Sequence, residues 1–267
     1  MIASKILDEK TTPMIQYVSP SLATLITAPF FKGLEFNKFF RSKFKDNWVS
    51  FYEARNGLYH LLTYLKEKFG SSIIYLPTDI CEVVKISAKL ARYKIIYYAI
   101  TPKGIKSKNV LLVTDNSIIP PKGVFSIEDN AKHPYYPNRR FDFTLYSFGA
   151  SKPLSSSGGG VVVVNNREFR GFLKIRQLLK EPERIFEIRA WINYIRWTLI
   201  EHEPLHRDKR VIASFRTARL ALRGNYMPTY RITNLPFRMM QISKKIAGKS
   251  FRDGEAQDNT KKQVKRS

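Results

Sequence analysis

The chain has 267 residues, of which 43% are hydrophobic and 13% aromatic, and this apolar content excludes an intrinsically disordered protein. Its single cysteine, Cys81, excludes an intramolecular disulfide framework and a cysteine-rich zinc site. The formal net charge of +24 favours an anionic ligand, but phosphates, nucleotides, nucleic acid and acidic lipid headgroups all remain open.

The predicted elements become clear after about residue 45. The leucine spacing of "RNGLYHLLTYLKEKF" (55–69) predicts a helix that ends at Gly70. A short strand (72–77) follows, and then a helix (79–93) with Asp79 as its N-cap. Five further strands are predicted at 94–100, 109–115, 123–129, 141–148 and 159–166.

Most of these strands are continuously apolar, a pattern typical of a sheet covered on both faces. We therefore expect an α/β domain over 51–166, after an N-terminal segment over 1–50. Ligands of such sheets gather at the carboxyl ends of the strands. Polar residues follow several predicted strand ends; they are Thr78, Asp79, Asp115, Glu128, Asp129 and Ser147.

The pattern changes to helix after residue 166. We expect helices at 167–180, 183–203, 209–223 and 235–248, within a helical segment over 167–248, and a disordered basic tail over 249–267. Eleven Lys or Arg and no acidic residue lie between Asp208 and Asp253, so this part attracts anions.

No apolar run reaches the roughly 18–20 residues of a membrane helix, and no run resembles a secretion signal. We expect a cytoplasmic protein without a membrane span.

His202 and His206 have helical spacing, but Pro204 between them interrupts the helix. We therefore expect no metal site.

Lys152 lies in a loop of small residues within "YSFGASKPLSSSGGGVVVV" (146–164). It is either a solvated loop lysine or a nucleophile, and a nucleophilic amine must be deprotonated by burial or by neighbouring cations.

Asp129 is either a simple strand-end cap or a carboxylate that faces a ligand. A cofactor with a pyridinium nitrogen needs such a carboxylate together with a lysine. Ser147 and the glycines 158–160 suit a phosphate.

Two segments, "SIEDNAK" (126–132) and "DFTLYSFGASKPLSSSGGGVVVVNN" (142–166), resemble the DegT/DnrJ-type sugar aminotransferases. These are pyridoxal-phosphate enzymes of the aspartate-aminotransferase (type I) fold. Two upstream segments are similar to the family's helix start and its strand–helix–strand unit; they are "ARNGLYHLL" (54–62) and "YLPTDICEVVKISAKLARYKIIYYAI" (75–100). The resemblance implies a three-layer type I PLP-transferase large domain with a mainly helical C-terminal extension.

The resemblance also implies roles for individual residues. Lys152 would be the Schiff-base lysine and proton shuttle, and Asp129 would pair with the pyridine nitrogen. The remaining positions implied are Ser147, Arg55 and Asn56 at the phosphate, Cys81 where the family stacks an aromatic ring, and Lys132 at the ring hydroxyl.

The chain departs from the family pattern at three points. Glu53-Ala54-Arg55-Asn56 replaces the usual small hydroxyl residues at the phosphate helix, so that Arg55 would contact the phosphate while Glu53 would oppose it. Cys81 offers no aromatic ring. The chain also ends before the family's small domain, which suggests a relative truncated at the C-terminus.

We therefore expect a pyridoxal-phosphate-dependent aminotransferase that acts on a nucleotide-linked keto sugar, with an amino donor such as glutamate, as a homodimer. The alternative is a catalytically impaired or inactive protein on the same scaffold, which binds an anionic partner through its basic helices. Nucleic acid is one such partner, although no nucleic-acid motif is present.

Overall fold

A computed structural model describes residues 34–100, 102, 104–114, 117–131, 140–148, 158–180, 188 and 192. The described part contains three α-helices, seven β-strands and one 3₁₀ helix. The helices are α1 (Leu34–Phe44), α2 (Ala54–Phe69) and α3 (Glu82–Leu90), and the 3₁₀ helix spans Arg167–Gln177. The strands are β1 (Trp48–Phe51), β2 (Ile73–Pro77), β3 (Lys94–Tyr98), β4 (Val110–Val113), β5 (Phe125–Asp129), β6 (Phe143–Ser147) and β7 (Gly160–Val164).

The seven strands form one sheet in the order β1-β7-β6-β5-β4-β2-β3. Strands β2 to β6 are mutually parallel where they pair, whereas β7 runs antiparallel to both β6 and β1. The carboxyl ends of β1 to β6 and the amino end of β7 therefore meet at the same edge of the sheet. This edge is called the carboxyl edge below.

Helix α2 forms where the leucine spacing predicts it. Its inward face carries four leucines with no exposed surface, Leu58, Leu61, Leu62 and Leu65. The helix ends at Gly70, which adopts φ 71° and donates its backbone N–H to the carbonyls of the last turn. A left-handed residue at this position is strongly favoured to be glycine, so the predicted end of the helix is confirmed.

Helix α3 begins three residues later than predicted, and Asp79 is not its N-cap. The helix spans Glu82–Leu90 with Cys81 as N-cap. Residues 78 and 79 instead form a turn, closed by the Ile80 N–H donating to the Pro77 carbonyl at 3.2 Å. Because Ile80 is only 6% exposed and packs into the core, burial of this side chain places the turn where the helix was expected.

Both faces of the sheet are covered. Helices α2 and α3 and the 3₁₀ helix pack on one face, over apolar side chains that include Ile127, Leu145 and Val162. Helix α1 packs on the other face through Phe36 and Phe40, which contact side chains of β6 and β7. This arrangement confirms the predicted layered α/β sheet, while α1 and β1 lie where the sequence pattern predicts no element.

The first helix predicted after β7, over 167–180, is present at Arg167–Gln177, although it is of the tighter 3₁₀ type. Its N-cap is Asn166, whose side-chain oxygen accepts the Glu168 N–H at 3.1 Å. The helices predicted over 183–203, 209–223 and 235–248, and the tail over 249–267, lie outside the described residues apart from isolated positions. Within the part that is described, no helix has the length and apolarity to cross a membrane.

Candidate functional site

The carboxyl edge brings together four of the elements that carry predicted site residues. Ser147 at the end of β6 is in register with Gly160 at the start of β7, which is in turn in register with Phe51 at the end of β1. Helix α2 starts three residues after Phe51, so its N-terminus lies at this edge. Asp129 ends the neighbouring strand β5.

Asp129 and Ser147 lie on the same face of the sheet. Asp129 is in register with Leu145, whose side chain packs into the core beneath α2 and α3. Ser147 lies two residues beyond Leu145 and, because side chains alternate along a strand, it has the same orientation. From strand spacing and rise, the two Cα atoms are roughly 8 Å apart. A carboxylate and a hydroxyl thus flank one surface beneath the helix starts.

The Asp129 side chain is held by the turn that follows it. Its Oδ1 accepts the Ala131 N–H at 3.2 Å. The next residue, Asn130, is 4% exposed and donates its backbone N–H to the Leu145 carbonyl at 2.8 Å. This bond extends the pairing of β5 with β6 past the end of the strand, so the carboxylate of Asp129 is fixed relative to Ser147.

A buried polar network lies behind Asp129 on the opposite face of the sheet. Glu128 is 5% exposed, and its Oε2 accepts a hydrogen bond from Thr144 Oγ1 at 3.2 Å. Thr144 Oγ1 in turn accepts from Asn165 Nδ2 at 2.9 Å. The network joins β5, β6 and the end of β7. No local sequence pattern predicts this network, because its members are distant in sequence and only the strand register brings them together.

The N-terminus of α2 lies unusually close to the start of β7. A Cβ atom on Gly160 would lie 2.2 Å from the Cα of Ala54 and 2.4 Å from its nitrogen, so only glycine fits there. Gly158 and Gly159 adopt φ 133° and 117°, a region that side chains rarely enter. A β-bridge between Glu53 and Gly159 completes the junction. The glycine run therefore seats the helix start against the sheet.

Arg55 and Glu53 form an ion pair at this junction. The guanidinium of Arg55 contacts the carboxylate of Glu53, and the two side chains are 9% and 24% exposed. Burial raises the pKa of Glu53 to about 7, and the neighbouring arginine offsets part of that rise. The cation expected to contact a phosphate therefore already has an anionic partner.

Asn56 lies at the start of α2 and Cys81 at the start of α3, and their environments differ. Asn56 is fully buried in the first turn of α2 and donates its N–H to the Glu53 carbonyl at 3.1 Å. Ser87 of α3 donates its hydroxyl to the Arg55 carbonyl at 3.3 Å and so joins the two helices. Cys81 is exposed immediately before α3, in the connection that follows the carboxyl end of β2.

Two predicted site residues, Lys152 and Lys132, lie outside the described residues. The same is true of His202 and His206. Across the ranges that the structure does describe, no group of three or more His, Cys, Asp or Glu side chains could hold a metal ion.

No protein-family model and no curated protein matches the chain. Solved structures that are similar to it include the sugar aminotransferase CalS13 from Micromonospora echinospora, with 17% identity over 63% of this chain and 58% of that one, at a TM-score of 0.47. Another is PseC from Helicobacter pylori, an aminotransferase involved in the biosynthesis of pseudoaminic acid, with 14% identity over 61% and 54% and a TM-score of 0.45.

A third similar structure is Spr1654 from Streptococcus pneumoniae, described as a putative sugar aminotransferase in its PLP form. It has 15% identity over 57% of this chain and 54% of that one, at a TM-score of 0.44. The chain thus spans little more than half the length of each of these proteins. At this identity and degree of superposition, the likeness identifies no family.

Proposed function

We propose that the protein is a pyridoxal-phosphate-dependent aminotransferase whose cofactor binds at the carboxyl edge. The observation that carries the proposal is the placement of Asp129 and Ser147 on one face of the sheet, beside the N-terminus of α2. This placement supplies a carboxylate and a helix start at opposite sides of one surface. A pyridinium nitrogen and a phosphate need these two groups.

The ring end of the proposed site fits the cofactor. Asp129 is oriented by the Ala131 N–H through one carboxylate oxygen, and the backbone bond from Asn130 to Leu145 fixes its strand end. A carboxylate held in this way would keep a pyridine nitrogen protonated. Cys81 provides no ring to stack on the cofactor, so stacking from that position is absent from the proposal.

At the end of the proposed site that would hold the phosphate, the backbone suits an anion, but the side chains differ from the family pattern. Gly160, the register partner of Ser147, allows the first turn of α2 to lie directly against the start of β7, which suits an anion at a helix N-terminus. Arg55 and Asn56 complete this end. The exception is Glu53, whose carboxylate lies beside Arg55.

When bound, pyridoxal phosphate supplies an electron sink that stabilises negative charge on the α-carbon of an amine substrate. Lys152 would hold the cofactor covalently until the amine substrate takes its place, and the lysine amine released in that exchange would then move a proton between the α-carbon and the cofactor. Asp129 holds the ring nitrogen in its protonated form, and Lys132 contacts the ring hydroxyl. Lys152 lies in sequence between Ser147 and Gly158, and both of these described residues lie at the carboxyl edge.

The cofactor part of the proposal is tested by titrating the purified protein with pyridoxal phosphate and following its absorbance. Asp129→Asn should weaken binding and abolish transamination, because the amide cannot stabilise the protonated ring nitrogen. Asp46→Asn is the matched control, since Asp46 is exposed and lies away from the carboxyl edge in the turn before β1. Equal binding and activity in the two variants would contradict the role of Asp129.

We further propose a nucleotide-linked keto sugar as the amino acceptor, glutamate as the amino donor and a homodimer as the active form. The net charge of +24 supports an acceptor that carries phosphates. The test is transfer of the amino group from glutamate to keto sugars with and without a nucleotide diphosphate. A preference for the free sugar would contradict the nucleotide-linked substrate.

The alternative is an inactive protein on the same scaffold that binds an anion through its basic C-terminal segment. It is favoured by the stretch between Asp208 and Asp253, which has eleven basic and no acidic residues. The test is to measure the affinity for nucleic acid at several salt concentrations. If basic side chains contact phosphates, this affinity should fall steeply as the salt concentration rises. Binding without salt dependence would contradict this alternative.

A further inference from the structure

The pair formed by Glu53 and Arg55 lies where the proposed cofactor phosphate would bind. Glu53 is the N-cap of α2, with extended backbone angles (φ −145°, ψ 160°), and its side chain makes no capping hydrogen bond to the helix. The carboxylate is directed instead to the guanidinium of Arg55. A negative charge at the N-terminus of a helix, paired with the nearest cation, occupies the environment that suits a phosphate.

The other described elements packed around Glu53 supply little charge. Strand β7 contributes glycines at this point, β6 ends in Ser147, and α3 contributes the hydroxyl of Ser87, which bonds to the Arg55 carbonyl. Tyr52, the residue between the end of β1 and Glu53, also has a titratable side chain. Within the described part of the chain, Arg55 is the charged group whose interaction with Glu53 is strong enough to affect its titration.

We propose that Glu53 controls phosphate binding at the α2 N-terminus: its carboxylate holds Arg55, and a phosphate binds tightly only after Glu53 has taken up a proton. This inference rests on the proposed cofactor site. A dianionic phosphate and an ionised carboxylate would share one arginine in a half-buried space, and like charges at such distances disfavour one another strongly. A neutral Glu53 removes this repulsion and leaves Arg55 to the phosphate.

The direction of the pH dependence follows from this competition. Burial already raises the pKa of Glu53 to about 7, so a neutral carboxyl is accessible near physiological pH. Phosphate binding would therefore weaken as the pH rises above 7, although the phosphate itself becomes more strongly ionised over the same range. Glutamine at position 53 mimics the protonated side chain and should remove the effect.

The experiment compares pyridoxamine 5′-phosphate with pyridoxamine, neither of which bonds covalently to a lysine. Dissociation constants are measured from about pH 6 to 8 for the wild type, Glu53→Gln and Glu67→Gln. Glu67 is an exposed residue near the other end of the same helix, so its variant is the matched control. For the phosphorylated ligand, the ratio of the wild-type constant to the Glu53→Gln constant should rise roughly tenfold across this range.

Pyridoxamine lacks the phosphate and should show no such change in the ratio, and Glu67→Gln should follow the wild type. Calorimetry of the wild type in two buffers of different ionisation enthalpy provides a second measurement that does not depend on the variant folding. Near pH 8, binding of pyridoxamine 5′-phosphate should take up close to one proton from the buffer.

Tight binding of pyridoxamine 5′-phosphate with a constant ratio and no proton uptake would overturn the role of Glu53 and leave the cofactor site standing. If neither the wild type nor Glu53→Gln binds the phosphorylated ligand better than pyridoxamine, both this inference and the proposed phosphate site are overturned.

Discussion

Gly160 begins β7 directly against Ala54, the first residue of α2, with no room for a side chain between them. The Cβ of any other residue at position 160 would meet the Ala54 backbone at 2.2 Å, and a backbone cannot move aside as the end of a flexible side chain can. The helix start and the sheet are therefore locked together at the point where the proposed phosphate site lies.

Gly160→Ala should consequently destabilise the protein. Overpacking by one methyl group costs about 1–3 kcal/mol when neighbours can adjust, and we expect the upper end of this range because the obstacle is backbone. The free energy of unfolding, measured by denaturant titration, checks the prediction.

Gly70→Ala is the control for this substitution. Gly70 also requires glycine, through its φ of 71°, but has no atom within 4 Å of a built Cβ. Its cost should be that of the left-handed backbone alone, about 1–2 kcal/mol. If Gly160→Ala is as stable as the wild type, the close contact with Ala54 does not exist.

The titration of Glu53 predicts a pH dependence of stability. Its pKa is raised from 4.5 to about 7 by burial, so between these values the folded protein keeps a proton that the unfolded chain has lost. Stability then falls as the pH rises, and this contribution is fully present below 4.5 and lost above 7. The difference in unfolding free energy between Glu53→Gln and the wild type should grow by about 1–3 kcal/mol across this window.

The measurement is a series of denaturant titrations of both proteins over that pH range. A difference that stays constant with pH would show that Glu53 titrates at its ordinary value and is not buried at the helix start.

Replacement of two buried tyrosines by phenylalanine should change the stability of the protein by different amounts. The hydroxyl of Tyr98 donates to the Leu112 carbonyl at 2.8 Å. That of Tyr146 makes no hydrogen bond of normal geometry among the described residues, and burial raises the pKa of this phenol while the nearby Asn130 side chain offsets part of the rise. Tyr98→Phe should cost about 1 kcal/mol, whereas Tyr146→Phe should cost clearly less because its hydroxyl makes the poorer contact.

Thermal and denaturant unfolding of the two variants provides the comparison, and each serves as the other's control. An equal loss of stability in the two variants would mean that the Tyr146 hydroxyl is bonded as well as that of Tyr98, by Asn130 or by a group outside the described residues.

The elements that the sequence predicts well are those where one local signal is strong. The leucines of α2 recur at helical spacing, and Gly70 supplies the left-handed end. The strands of the sheet interior are short apolar runs, buried along most of their length, as in β4 and β7. In these segments local pattern and tertiary packing agree, so the pattern is sufficient.

Other features depend on contacts that no local pattern contains. Phe36, Phe40 and Phe44 form a helical stripe in α1, but bulky aromatics favour strands in isolation, and only packing on β6 and β7 decides the outcome. Asp79 has the chemistry of an N-cap, but burial of Ile80 moves the helix start past it.

The candidate site also contains both kinds of feature, those that the sequence predicts and those that depend on tertiary contacts. Asp129 and Ser147 could be placed at one edge from their positions at strand ends. The pairing of Glu53 with Arg55 could not, because residues two apart do not face one another within a helix. They meet here because Glu53 is still in extended conformation outside the first turn.

Chemical trapping of the cofactor would show directly whether Lys152 binds it. The protein is incubated with pyridoxal phosphate and reduced with borohydride, and the modified peptide is then located by mass spectrometry, with Lys152→Ala treated in parallel. We expect a phosphopyridoxyl group on Lys152 at close to one per chain and no specific modification in Lys152→Ala. Labelling scattered over surface lysines and equal in the two proteins would contradict a cofactor site at the carboxyl edge.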